Sequence, residues 1–388
     1  MSKKSKKGES FPIGPIDLLI IQGSPFCNID CKYCYLPDRL NKNRISVDTV
    51  LKAVQRLVDE KLINKQFNIV WHAGEPLAVP LSFYQEVVEA VKKIVPEDNK
   101  VIHHIQTNAM LLTQEWCDFI NQEGIRIGIS CDGPEFLHDA NRLTRSGKGT
   151  FQEVMAGAAL LKKNNIDFHV IGVITDKSLD HAEEIYNFFF EMGVRSFGLN
   201  IDEEDGSNKK STIQQPLEDK LKIFWQKLYD LQIHSDHYVH VRELFNFHNR
   251  LLQGPVQLPP TYFTQMNGPL QIIALDIKGN FTTFSPELLG MKDVNYGYEN
   301  FDLGNVHEIG FRESLNTEKF KHIFKEINDG INLCRKECSY FNLCGGGAPS
   351  NKLYENGSFA TTETRYCKYT RKTIVDAVIE KMEAELAD

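Results

Sequence analysis

The sequence predicts an α/β protein: a partial (β/α)6 TIM-like barrel followed by a small cysteine-rich α+β domain. Three observations lead there. Strand-like and helix-like runs alternate six times before residue 234. Seven of the nine cysteines fall in two tight groups at opposite ends of the chain. Near Leu270 a hairpin pattern replaces the alternation.

The elements follow in order. The apolar run Leu18 to Ile21 reads as a first strand. Val47 to Leu62 is a helix, because Val50, Leu51, Val54 and Leu57 recur at helical spacing. Phe67 to Trp71, Val101 to Gln106, Ile125 to Ser130, Phe168 to Ile174 and Val194 to Ile201 are the next strands. The helices between and after them span Leu81 to Ile94, Gln114 to Gln122, Phe151 to Lys163, Asp180 to Met192 and Leu217 to Leu231. Strict βα alternation argues for parallel strands with right-handed crossovers. Six units rather than eight leave the barrel open, and its site belongs at the C-terminal ends of the strands. Asp202 to Gln215 is a polar loop. Ile272 to Asp276 and Phe281 to Phe284, with a turn near Gly279, form a hairpin. Tyr369 to Leu386 carries an apolar face and is a packed C-terminal helix. The resulting division is a disordered basic tail (1–14), the barrel (15–233), a bridging region (234–269) and a C-terminal domain (270–388).

Composition narrows the function classes. A chain of 388 residues with 41% hydrophobic and 25% charged residues is an ordinary globular protein. A net charge of −8 argues against general nucleic-acid binding. No apolar run is long enough to span a membrane. Lys3, Lys4, Lys6 and Lys7 lack an apolar stretch behind them, so they are not a secretory signal. An odd cysteine count without such a signal points to a cytoplasmic protein whose thiols bind metal or catalyse. Cys117 and Cys131 stand alone and read as small buried hydrophobes.

Cys27, Cys31 and Cys34 form CNIDCKYC directly after the first strand. Three thiolates so spaced can hold three irons of a cubane cluster and leave the fourth iron open to a small molecule. Tyr35 follows as a possible shield. The competing reading is zinc, with His72 as a fourth ligand.

CNIDCKYCY resembles the signature of the radical S-adenosylmethionine superfamily. That resemblance implies a [4Fe-4S] cluster whose open iron chelates the methionine moiety, and electron transfer that yields a 5′-deoxyadenosyl radical. Further motifs agree at successive strand ends. His72-Ala73-Gly74-Glu75-Pro76 resembles the family's GGEP motif, with Ala73 for the first glycine. Gln106-Thr107-Asn108 resembles its QTN. Ser130-Cys131-Asp132-Gly133-Pro134, with His138, Asp139 and Arg142, resembles its SxDGP…HDxxR segment. By resemblance, Tyr33, Gly74, Glu75, Gln106, Asn108, Ser130, Asp132 and Arg142 contact S-adenosylmethionine. The bland reading of each motif is turn or cap chemistry.

Cys334, Cys338 and Cys344, then Gly345-Gly346-Gly347, and later Cys367 form the second group. Four thiolates can close a zinc site or a fully ligated iron–sulfur cluster. The group resembles the SPASM extension of peptide-modifying radical enzymes. It departs from that pattern at Ala348 and Ser285, where further cysteines are usual. The departures imply one auxiliary [4Fe-4S] cluster on Cys334, Cys338, Cys344 and Cys367. TTFSPELLG, CGGGAPSNKLYENGSF, TTETRYC and NIDEEDG look closest to cyclophane-forming maturases of the GrrM/OscB type.

The resemblance implies a radical oxidoreductase that takes a Cβ hydrogen from a precursor peptide and couples the carbon to an aromatic ring. Its partners are then that peptide and an electron donor such as flavodoxin or ferredoxin. Candidate bases for the lost proton are Glu203, Glu204 and Asp205, just past the sixth strand; acidic loops are also commonly just solvated. Formylglycine-type oxidation, thioether formation and a zinc-stapled binding protein are the alternatives.

Overall fold

A computed structural model describes residues 13–214, 217–254, 257–260, 262–292 and 296–387. The expected basic tail falls almost entirely outside the described residues, as does Gln215 at the end of the polar loop. A ten-stranded sheet organises the chain. Its strands are β1 (Leu18–Ile21), β2 (Gln66–Trp71), β3 (Lys100–Thr107), β4 (Arg126–Ser130), β5 (Phe168–Ile174), β6 (Ser196–Ile201), β7 (His240–Val241), β8 (Ile272–Leu275), β9 (Asn280–Thr283) and β10 (Gly304–Asn305). They lie in the order β10-β9-β8-β1-β2-β3-β4-β5-β6-β7. The pairs from β8 through β1 to β7 are parallel, while β8-β9 and β9-β10 are antiparallel.

The sheet curves into the open barrel that the alternation predicts. β5 shows the reason: Phe168, Val170 and Ile174 are buried, while the alternating residues are partly exposed. Helix Val47–Asp59 buries Val50, Ala53, Val54 and Leu57, with the two valines and the leucine each worth up to about 1.5–3 kcal/mol when fully removed from water. Its start is fixed by Ser46, whose hydroxyl accepts from the Thr49 N–H at 3.1 Å. Inside the barrel, space is made by glycine. A Cβ at Gly128 would lie 2.0 Å from Gln106 Oε1 and 2.6 Å from His169 Nε2.

The structure adds what the periodicity did not show. The hairpin is present, but β8 pairs in parallel with β1, so one sheet runs through both the barrel and the hairpin. All four β8 residues are buried, as a strand covered on both faces requires. Helix Arg242–Leu252 occupies the bridging region. Helix Glu318–Glu337 carries Cys334 in its last turn and ends at Cys338, while Cys344 and Cys367 come from the short helical turns Phe341–Cys344 and Arg365–Cys367. Its buried Phe320, Ile323, Phe324, Ile327, Ile331 and Cys334 keep helical spacing, and Thr317 caps it. Cys117 and Cys131 are fully buried, as expected of packing residues.

Candidate functional site

The C-terminal ends of β1 to β6 surround a cavity of about 390 Å3. Cys27, Cys31 and Cys34 all line it, on the loop after β1. That loop is held from outside. The Asp30 N–H donates to Leu143 O at 2.7 Å and the Lys32 N–H to Asn141 O at 3.1 Å. Arg145 Nη2 donates to the carbonyls of Cys27 and Arg39 at 2.9 and 2.8 Å. Burial pushes the Cys27 thiol up to about 11 and the Cys31 thiol up to about 12. Binding a metal cluster there would displace those protons. Among the described residues no three His, Cys, Asp or Glu side chains converge as a single metal ion would need. His72 lines the cavity, with burial lowering it to about 4. Its Nδ1 accepts from the Ala73 N–H at 2.6 Å.

The loop after β2 owes its shape to two left-handed residues, Ala73 (φ 71°) and Gly74 (φ 79°). A Cβ at Gly74 would lie 2.2 Å from Ser24 O and 2.8 Å from Phe26 O, so the backbone of the cysteine loop leaves no room for one. Glu75 follows, buried. Its carboxylate accepts from the Leu77 N–H at 2.9 Å, the Thr107 hydroxyl at 2.6 Å and the Asn108 N–H at 2.9 Å. It thereby caps the short helix Pro76–Ala78 and ties the end of β2 to the end of β3. Asn108 in turn donates from Nδ2 to Asn28 Oδ1 at 2.8 Å, fastening β3 to the cysteine loop. Gln106 Nε2 donates to Ser130 Oγ at 3.0 Å, linking the ends of the neighbouring strands β3 and β4.

Asp132 is a second clasp. It accepts from Arg142 Nε and Nη2 at 3.0 Å each, from the Val173 N–H at 2.9 Å and from the Tyr33 hydroxyl at 2.5 Å. Ser130 and Arg142 line the cavity. His138 and Asp139 turn away from it. His138 pairs with Thr150 Oγ1 at 3.0 Å, and Asp139 accepts from the N–H groups of Thr150 and Phe151 at 2.8 and 2.9 Å. The HDxxR residues therefore build the joint between helices Glu135–Asn141 and Phe151–Lys163. Sequence periodicity did not show the first of these, a helix of only two turns.

Of the three expected bases, Glu203 and Asp205 reach the cavity. Glu204 instead pairs with Arg365. The structure adds Glu287, which follows the hairpin and lines the same cavity. Sequence reasoning passed over it because nothing showed that the hairpin extends the barrel. Burial raises both Asp205 and Glu287, and repulsion from Glu287 adds to the rise at Asp205. Burial raises Glu203 well above the usual carboxylate range, although Asn351 Nδ2 donates to it at 2.7 Å. Ser285, at a position where a cysteine is usual, donates to the Glu287 carboxylate. The Tyr354 hydroxyl donates to the Glu287 carbonyl at 3.0 Å. Asp205 Oδ1 is buried with no hydrogen-bond partner among the described residues.

Cys334, Cys338, Cys344 and Cys367 line a second, small cavity of about 30 Å3, with Ala348, Lys352, Arg371 and Lys372. Gly345, Gly346 and Gly347 are all left-handed (φ 71°, 103° and 74°), which lets the chain turn tightly beside the thiols. Four thiols and three cations suit an anionic cluster. Tyr366 lines both cavities and stands between them.

Comparison with known proteins gives four findings. Residues 21–189 match the Radical SAM superfamily. The chain is 39% identical to an uncharacterised protein of Synechocystis, over 96% of this chain and 94% of that one. It is 27% identical to the cysteine-type anaerobic sulfatase-maturating enzyme of Clostridium perfringens, over 86% of this chain and 88% of the relative. Its fold matches the solved structure of native anSMEcpe with bound AdoMet and the Cp18Cys peptide. There the TM-score is 0.77 at 23% identity, covering 95% of this chain and 98% of that one.

Proposed function

Since the chain belongs to the radical SAM superfamily and is an enzyme related to peptide and protein modifiers, we propose that it matures a ribosomally made precursor peptide by cyclophane formation. A Cβ hydrogen is removed, and the carbon is joined to the ring of a Phe, Tyr or Trp. Cys27, Cys31 and Cys34 would hold the first [4Fe-4S] cluster; Cys334, Cys338, Cys344 and Cys367 would hold the auxiliary one. Tyr33, Gly74, Glu75, Gln106, Asn108, Ser130, Asp132 and Arg142 would shape the seat of S-adenosylmethionine. Gly74, Glu75, Gln106, Asn108, Ser130 and Arg142 do so from the cavity wall. Tyr33 also lines that wall, while Asp132, bonded to both Arg142 and Tyr33, acts by holding Arg142 and the cysteine loop. When bound, the cluster and S-adenosylmethionine supply one-electron chemistry able to take hydrogen from an unactivated carbon.

One observation carries the reading: a single cavity has three thiols in its wall and the carboxyl groups of Glu203, Asp205 and Glu287 as well, with Asp205 and Glu287 both raised by burial. Crosslinking forms one C–C bond and removes two hydrogens. One leaves Cβ as an atom; the other leaves the ring as a proton with a separate electron. Two carboxylates in one desolvated site share a proton, so one stays ionised and can accept the ring proton. Tyr366 stands where the electron would pass toward the second cysteine group. Formylglycine-type oxidation is the second reading, favoured by the sulfatase-maturating relatives.

Co-expression with a short glycine-rich, aromatic-bearing peptide encoded beside the gene tests the proposal. The expected product lacks two hydrogens and keeps its aromatic residue in a protease-resistant linkage. A formylglycine product, or a thioether to a substrate cysteine, would overturn it. Glu287→Gln is expected to lower crosslinking by about 10²–10⁴-fold while leaving S-adenosylmethionine cleavage in place.

A further inference from the structure

Lys352 has no role in the chemistry so far, yet it is 4% exposed. It stands on helix Pro349–Asn356, and its Nζ donates to Gly330 O at 3.0 Å and to Cys334 Sγ at 3.4 Å. Among the described residues no carboxylate pairs with it. Helix Glu318–Glu337 makes room for the ammonium by placing glycine at position 330, one turn before Cys334. A Cβ there would lie 2.2 Å from Phe359 O and 3.1 Å from Lys352 Nζ. A glycine inside a helix is destabilising relative to alanine. A buried ammonium is costlier still without an anion. Lys372, in the same wall, has Glu363 as its partner; Arg371 is spread over the rings of Phe247 and Tyr366.

We propose that Lys352 is a positioning residue whose buried ammonium, held on the Cys334 sulfur, raises the reduction potential of a cluster bound by Cys334, Cys338, Cys344 and Cys367. The inference rests on the proposed auxiliary cluster. A cluster with four thiolate ligands is a net anion, and reduction adds one more negative charge. A desolvated cation on a ligand sulfur stabilises the reduced form more than the oxidised one. The lysine thus suits the cluster to take up an electron.

The test is a potentiometric titration of the anaerobically reconstituted full chain, followed by electron paramagnetic resonance. Lys352→Met, with iron and sulfide equal to the wild type, is expected to show a lower potential for the second cluster only. Lys352→Arg should stay near the wild type, and Lys352→Gln, which keeps a donor without charge, should fall between. An unchanged potential in fully loaded Lys352→Met overturns the proposal. So does loss of the second cluster from all three variants, which would make the lysine a packing element. A wild type that takes up only one cluster refutes the auxiliary-cluster reading itself, before Lys352 is tested.

Discussion

Ala73 and Gly74 are adjacent, both left-handed, and differ in what surrounds them. At Gly74 the obstacle is backbone, so Gly74→Ala should cost more than the roughly 1–2 kcal/mol of the left-handed conformation alone. It should also loosen the cysteine loop, read as lost iron on reconstitution. Ala73→Gly should be neutral within about 1 kcal/mol, because relief of strain offsets the greater freedom of the unfolded chain. Denaturant midpoints of the two variants check both. Cys31→Ala should abolish S-adenosylmethionine cleavage, because two thiolates do not retain the cluster; normal deoxyadenosine production would refute the assignment. Cys344→Ala should harm peptide modification more than uncoupled cleavage. Equal loss of both would mean misfolding.

Helices meet one another through joints as well as through packing. Asp139 accepts two N–H groups at the start of helix Phe151–Lys163. Asp139→Ala should therefore destabilise the protein by about 0.5–2 kcal/mol, the worth of a helix N-cap. The neighbouring segment also receives the cysteine loop, through Asn141 O and Leu143 O. The variant should thus weaken cluster retention as well as lower the denaturation midpoint. A variant with wild-type stability and reduced S-adenosylmethionine binding would instead give Asp139 a place in the site.

The whole molecule should respond to acid through its buried histidines. Burial lowers His103 and His138 from 6.5 to about 4. The folded state thus holds them neutral while the unfolded state takes up protons below about pH 6.5. Their contribution is complete above that pH and is lost as pH falls toward 4, by up to roughly 3 kcal/mol for each. The raised carboxyls of Glu203, Asp205 and Glu287 act in the opposite direction, so the histidine contribution is read as a difference: between pH 6.5 and 4 the urea midpoint of His138→Gln should fall less than that of the wild type. Parallel profiles of the two proteins between pH 6.5 and 4 would show that His138 titrates in the folded state as it does in water. The sheet acts at the same scale. Because β8 pairs with β1, a proline at Ala274 should unsettle the cysteine loop after β1, read as lower iron uptake as well as lower stability.

The sequence by itself determined the alternating barrel, the cysteine groups and the strand ends that carry the motifs. These are local signals: period-2 and period-3.6 apolar spacing, and ligands a few residues apart. Tertiary structure alone decided that β8 joins β1, that Glu287 meets Asp205, that Glu204 turns to Arg365, and that Lys352 lies on Cys334. Each joins residues far apart along the chain, in segments whose own patterns fit several partners. Sheet pairing and burial choose among those partners, and spacing along the chain carries no record of the choice.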